Sequence, residues 1–348
     1  MITGHGDDSF RLKSPIKADF SSNVWYGGTS PALIGYLQQN IRQIGNYPEP
    51  DAASFCRIAA QAHSVAEEQV LAFNGSVEAF YTIALAFRRK HSALLTPAFA
   101  EYEDACRVHE HQLRFFTSAE GPNCAKTEAD LCWLGNPNNP DGHIFSHFEI
   151  EVFLNEHPET VWVVDEAYAD FIPEFRSAIE LTEKFENLIV VRSLTKCCAI
   201  PGLRLGYVVA SAKLAQQLRN YQQPWSVNAL AQLAGKFLLE NRIPDLVDQW
   251  TIGRLSKRLQ ESIAQIDGFQ VTASKAPFFL VEMQTGTAAE LKDFLIHERG
   301  ILIRDASNFR GLNERFFRVC TRNEADNQLL IEGLKAYLIS NNRRDHRV

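Results

Sequence analysis

The 348-residue sequence has no run of about 18 consecutive apolar residues, the length a membrane-crossing helix needs. A bilayer anchor is therefore not expected. Its start, MITGHGDDSFRLK, lacks the apolar core that marks a secretory signal. The seven cysteines are odd in number and include no C-x-x-C pair, which argues against a disulfide framework and for reduced thiols. Cytoplasm is the expected compartment. Positive charge is in deficit, with 35 Lys and Arg against 42 Asp and Glu and a net charge of −7. That balance disfavours a nucleic-acid binder, which needs a basic surface, but leaves room for a local pocket that takes a small anion. Internal repeats, low-complexity tracts and a disordered linker are also missing.

What the sequence does contain is a regular alternation. Strand-like runs stand at VLAF (70–73), ALLT (93–96), LRFF (113–116), LCWLG (131–135), VWVVD (161–165), LIVV (188–191) and LGYVVA (205–210). Helical patterns at 76–88 and 146–156 fall between them, the second opened by the capping box Ser146-x-x-Glu149. Near-continuous apolar strands spaced by helices predict an α/β fold with a mostly parallel sheet covered on both faces. From about residue 227 the texture changes. Helical segments near 227–240 and 245–267 lead to FQVT, FFLVEM, a helix near 288–299, ILIR, FFRVCT and a closing helix. This predicts a smaller α+β domain, with the 245–267 helix as the bridge.

The stretch RSLTKCCAIPGLRLGY (192–207) follows the apolar run NLIVV and places Lys196 beyond a strand end, where α/β folds locate their chemistry. Ser193-x-x-Lys196 matches the S-x-x-K of serine-nucleophile enzymes, but the companion S-D-N and K-T-G elements are missing and no G-x-S-x-G occurs. A solvated loop lysine is the plain alternative. Other strand ends decide between them. Asp165 closes VWVVD, a desolvated position where a carboxylate needs a cationic or N–H partner. Gly75 and Ser76 open a helix after VLAF, which suits a phosphate. Asn139 lies in NPNNPDG, by itself a turn, and Tyr102 in PAFAEY either stacks on a ring or packs in the core.

Taken together these groups describe one ligand: a nitrogen heterocycle carrying an aldehyde and a phosphate. Lys196 can condense with the aldehyde, and Asp165 can balance a protonated ring nitrogen. Asn139 and Tyr168 can hydrogen-bond a ring oxygen, while Arg204, Ser193 and the N–H groups near Gly75 and Ser76 can hold the phosphate. That ligand is pyridoxal 5'-phosphate.

The ordered series NGS, Tyr102, NPNNPDG, DEAY, SLTK and GLRLGY resembles that of the fold-type-I pyridoxal-phosphate enzymes over nearly the whole chain. The resemblance implies an aspartate-aminotransferase-like fold: a seven-stranded, mostly parallel sheet in a large domain and a smaller α+β domain. It implies an N-terminal arm over 1–27 that contributes to the small domain and the site, a large cofactor domain over 28–244, and a small domain over 245–348. It implies a homodimer with shared active sites, in which Tyr47 of Asn46-Tyr47-Pro48 would reach the partner's cofactor phosphate; by itself Tyr47 is a helix stop before proline.

Two branches compete, threonine-phosphate decarboxylase of cobalamin biosynthesis and histidinol-phosphate aminotransferase. The stretches His5-Gly6, ADFSSNV (18–24), QQPWSVNALA (222–231) and GILIRDASNFRGL resemble the decarboxylase more closely, although that branch often has Phe where Tyr168 stands. A phosphorylated amino acid is the expected substrate. By resemblance Arg318 takes its carboxylate, while Arg304, His5 and Asn23 are candidates for its phosphate; a plain strand-end cation is the alternative for Arg304. A cofactor-binding protein without turnover is the reading from a different class. His143 and His147 have i, i+4 spacing but no third ligand in evidence, so no metal site is expected.

Overall fold

In the computed structural model the described residues are 12, 14–120, 129–241 and 247–345. His5 of the expected arm lies outside them. The strands in chain order are β1 (Ala18–Asp19), β2 (Val70–Phe73), β3 (His91–Leu95), β4 (Gln112–Phe116), β5 (Leu131–Gly135), β6 (Val161–Asp165), β7 (Leu188–Ser193), β8 (Gly206–Ala210), β9 (Phe269–Val271), β10 (Phe278–Met283), β11 (Ile301–Leu302), β12 (Arg304–Asp305) and β13 (Phe316–Cys320).

The chain divides into two compact units. The larger comprises Val24–Asn138 and Ile144–Asp248; the smaller takes the residues up to Asn23, the segment Asn139–His143 and everything from Gln249 onward. The division falls just before the helix Gln249–Ala264, which therefore belongs wholly to the smaller unit.

The larger unit holds a seven-stranded sheet in the order β2-β8-β7-β6-β5-β3-β4. β3 to β7 pair in parallel, and only β8 runs against its neighbours. All seven strands coincide with the apolar runs of the sequence. β2, β5, β7 and β8 are buried at every residue, which is why their side chains do not alternate with polar ones. Leu71, Ile83, Trp133, Val163, Ile189 and Val208 pack into one core. The capping box is present as well: Glu149 N–H donates to Ser146 Oγ, and Ser146 N–H to Glu149 Oε2.

The smaller unit contains a four-stranded antiparallel sheet, β12-β13-β10-β9, and a short parallel pair, β1-β11. Its core brings Phe20 from the N-terminal stretch against Phe279, Val281, Leu295, Phe317 and Leu334. Among the described residues no helix is long and apolar enough to cross a membrane.

Candidate active site

Parallel strands put all their C-terminal ends on one edge of a sheet, and β8, running the other way, brings its start to that edge. Phe73, Gly206 and Ser193 are adjacent partners across β2, β8 and β7, and Gly135 pairs with Asp165 across β5 and β6. The segments carrying Gly75, Tyr102, Tyr168, Lys196 and Arg204 therefore leave from one side of the larger unit. This is the crevice side where α/β sheets bind ligands.

Asp165 is the chemical centre of that edge. It is 7% exposed. Tyr102 Oη donates to its Oδ2 at 2.6 Å, and Ala167 N–H donates to its Oδ1 at 3.0 Å. Burial pushes its pKa up to about 6, against the pull of the Tyr102 and Ala167 hydrogen bonds and the positive charge of Lys196. A carboxylate kept buried and held by donors on both oxygens is suited to a cation that arrives with its own N–H.

Lys196 is half-buried, on a loop fixed from several directions. Its carbonyl accepts from Trp25 N–H at 2.9 Å, and Ala199 O accepts from Thr29 Oγ1 at 2.6 Å. The next residue, Cys197, sends its thiol toward Asp170 at 3.5 Å. Asp170 and Glu166 both pair with the buried Arg192 of β7, at 2.5 and 3.1 Å. Breaking this buried ion network would strand a charge in the core, which costs several kcal/mol, on the order of 3–5. The lysine thus stands on a rigid base. The Cys197 and Cys198 thiols lie 3.5 Å apart; their hydrogen bond and burial push the Cys197 pKa well up, which holds Cys197 as a thiol.

Gly75 has φ +83° and caps the helix Ser76–Ala86. A β-carbon there would collide with the Arg204 guanidinium. Arg204, itself left-handed at φ 58°, reaches across the helix start because only glycine leaves that space. Gly206 is equally constrained: a β-carbon would meet Ser76 N at 2.6 Å. The Arg204 guanidinium at the helix start, with the buried Ser193 on the neighbouring strand, is an arrangement suited to an anion.

The smaller unit carries a second cationic feature. Arg304 and Arg318 are direct partners across β12 and β13. Directly opposed residues project from the same face with β-carbons about 5 Å apart. Both are buried, at 8% and 5% exposure. Arg318 Nη1 donates to Asn139 Oδ1 and its Nη2 to Ser21 O at 2.6 Å, with Phe278 beneath the guanidinium. Arg304 donates to Asp305 O and, at 2.7 Å, to Asn308 Oδ1, and lies over Phe309. By accepting from Arg318 through its oxygen, Asn139 turns its amide N–H groups elsewhere. Asn23, two residues after Ser21, is buried in the same unit. Arg322, by contrast, is tied to Asp326 at 2.8 Å.

Residues 15–334 match the family described as aminotransferase class I and II. The chain belongs to the aminotransferase class I and II family. As a member it is an enzyme, of the decarboxylase or aminotransferase kind. Within the family it is similar to the crystal structure of L-threonine-O-3-phosphate decarboxylase from Porphyromonas gingivalis, with a TM-score of 0.90 and 40% identity over 92% of this chain and 99% of that one. It is 31% identical to the threonine-phosphate decarboxylase of Salmonella typhimurium over 332 residues, 92% of this chain and 91% of the relative. It is also 31% identical to a histidinol-phosphate aminotransferase of Thermoanaerobacter sp. (strain X514), over 88% of this chain and 89% of the relative.

Two of the expected site residues of this family member stand differently from the rest. Tyr47 is 89% exposed, and its ring lies against Trp225 at 5.8 Å. Tyr102 is only 3% exposed, its ring enclosed by Phe80, Phe99 and Trp133. Phe99, three residues earlier at the helix start, is half-buried and offers the more open aromatic surface. Sequence reasoning passed over it, although PAFAEY shows both rings one helical turn apart.

Proposed function

We propose that this enzyme decarboxylates L-threonine O-3-phosphate to (R)-1-amino-2-propanol O-2-phosphate, with pyridoxal 5'-phosphate as cofactor, in cobalamin biosynthesis. The observation that carries the substrate class is the cross-strand pair Arg304 and Arg318. Two guanidinium groups, both buried and directly opposed, set two planar anion-recognising forks on one face of the sheet. A substrate with two anionic groups, a carboxylate for Arg318 and a phosphate for Arg304, matches that pair. Histidinol phosphate has a phosphate but no carboxylate, while the 2-oxoglutarate that completes aminotransfer has two, so the pair marks a dianionic substrate and the choice of branch rests on the relatives. The decarboxylase is favoured by 40% identity to the Porphyromonas gingivalis enzyme, against 25% to the histidinol-phosphate aminotransferase structure from Clostridium acetobutylicum.

The residues of the larger unit fit the cofactor. Asp165 would take the pyridinium N–H, the Gly75–Ser76 helix start with Arg204 and Ser193 the phosphate, Lys196 Nζ the aldehyde carbon, and Phe99 the ring face. Tyr168 is assigned to the ring oxygen, and Asn139, which belongs to the smaller unit, to the same atom. When bound, pyridoxal phosphate supplies an electron sink for whichever bond at the substrate Cα stands perpendicular to its ring. Arg318 and Arg304 decide which bond that is, because they fix the carboxylate and the phosphate and so the rotation about Cα. Carbon dioxide leaves and a proton takes its place; Lys196 Nζ is the group assigned to deliver it. Tyr47 is assigned to the cofactor phosphate of a second copy of the chain, in keeping with the exposed apolar Ile34, Ile41 and Ile44 on the adjoining stretch.

Incubation with L-threonine O-3-phosphate and no keto acid is expected to release carbon dioxide and aminopropanol phosphate. Glutamate formed from histidinol phosphate and 2-oxoglutarate, without carbon dioxide release from the first substrate, would overturn the reading in favour of the aminotransferase. Gly75→Ala tests the cradle: displacing Arg204 is expected to weaken pyridoxal-phosphate binding by roughly tenfold or more, since a charge-assisted bond is worth about 1.5–3 kcal/mol. Absorbance titration of cofactor-free protein measures it.

A further inference from the structure

We infer that the Tyr102 hydroxyl is a positioning group for Asp165: it fixes the carboxylate and keeps it ionised, and so holds the cofactor's ring nitrogen protonated. This rests on the cofactor reading above and deepens it, giving Tyr102 a role other than stacking.

The geometry has three parts. Tyr102 lies in the first turn of the helix Ala100–Val108, and its ring is locked by edge contacts from Phe80 at 4.9 Å and Phe99 at 5.8 Å and by Trp133 stacked at 6.1 Å. The ring cannot swing, so the direction of its O–H is set by packing. That hydroxyl donates to Asp165 Oδ2 at 2.6 Å, while Ala167 N–H holds Oδ1, so each oxygen keeps a lone pair for a further donor. Burial pushes the Tyr102 pKa well above its ordinary value, with the Asp165 charge adding to it. The phenol therefore remains a donor across the working range and never competes as an anion.

The charged and titratable groups that face Asp165 are few. Lys196 and the Tyr102 and Ala167 donors favour its ionised form; burial and the neighbouring Glu166 oppose it. Tyr168 lies near enough to act on Tyr102. Glu166 is engaged by Arg192, Ser177 and the Ala178 N–H. Tyr102 is thus the side-chain hydrogen bond that Asp165 would lose in a single substitution, with no change in ring packing if phenylalanine takes its place.

The test uses the loaded enzyme and the pH midpoint of its lysine–cofactor absorbance band. A ring nitrogen that loses its proton withdraws less electron density, so the lysine–cofactor nitrogen becomes more basic. Tyr102→Phe is expected to raise the midpoint by about one pH unit, a tenfold change in the proton equilibrium, and to weaken cofactor binding by about tenfold. Asp165→Asn should raise the midpoint further. Adding Tyr102→Phe to Asp165→Asn should then produce no additional shift, because the group through which Tyr102 acts is gone. An unchanged midpoint in Tyr102→Phe, or an equal shift in both backgrounds, would overturn the inference. Wild-type protein that takes up no pyridoxal phosphate would instead remove the cofactor reading on which it rests.

Discussion

Lys196→Ala is expected to lower turnover by about 10⁴-fold or more, equivalent to roughly 5–6 kcal/mol of lost transition-state stabilisation. The size follows from the two duties assigned to one amine, holding the cofactor covalently and moving a proton at Cα. Removal of both leaves only the binding groups. The substitution is mild for the fold. Lys196 is half-buried on a loop whose backbone is held by Trp25 and whose neighbours are tied to Asp170 and Arg192. The stability of the cofactor-free protein should therefore fall by no more than about 1 kcal/mol, the ordinary size for a single substitution that opens no core cavity. Borohydride reduction of the wild-type holoenzyme should bleach the chromophore and leave a stable tag on a peptide containing residue 196. In the variant, cofactor binding should become reversible by dialysis and no tag should form. A variant that retains more than about a hundredth of its turnover would show that the lysine is not the group at the centre of the chemistry.

How far this site can be read from the sequence depends on the kind of interaction involved. The inner strands of the large sheet are legible because burial on both faces leaves few polar interruptions, as in LCWLG and VWVVD, whereas β4 at the edge is mostly exposed and shows only a short apolar run. Asp165 is legible because a carboxylate closing so apolar a run must find a partner, and Lys196 because it stands just past a strand end, where α/β folds place their chemistry. Register is another matter. Arg304 and Arg318 lie in ILIRD and FFRVC, and nothing local says that a two-residue strand will set one opposite the other. Strand pairing is decided by tertiary contacts of Ile303, Phe317 and Val319 with the core beneath. The same holds for Tyr102 and Phe99. Helical spacing puts both on one side of a turn, but their depth is fixed by Phe80 and Trp133, which come from other elements. Arg192 was equally hidden: an arginine ending a strand reads as solvated until β6 and β7 are seen side by side, with Glu166 and Asp170 within reach.

The cross-strand arginines also allow the substrate's two anions to be told apart. Arg304→Ala is expected to lower kcat/KM for L-threonine O-3-phosphate by roughly 10²–10³-fold, because removing one partner of a buried charged hydrogen bond costs about 3–4 kcal/mol. Most of the loss should fall on KM, since a phosphate remote from the breaking bond is held alike in ground and transition states. Unphosphorylated L-threonine, poor to begin with, should be handled by the variant about as well as by wild type. Arg318→Ala should behave otherwise. Its guanidinium is assigned to the carboxylate that departs, and it also fixes the Asn139 side chain. Both substrates should then lose kcat as well as affinity. Arg304→Lys sharpens the distinction: it restores charge without the planar fork and should recover only part of the loss. If Arg304→Ala instead impaired the two substrates equally, the cation at 304 would be reading something they share, and the assignment of the phosphate to β12 would fail. The paired guanidinium groups would then be expected to grip the carboxylate together, and the phosphate would have to be sought elsewhere on the smaller unit.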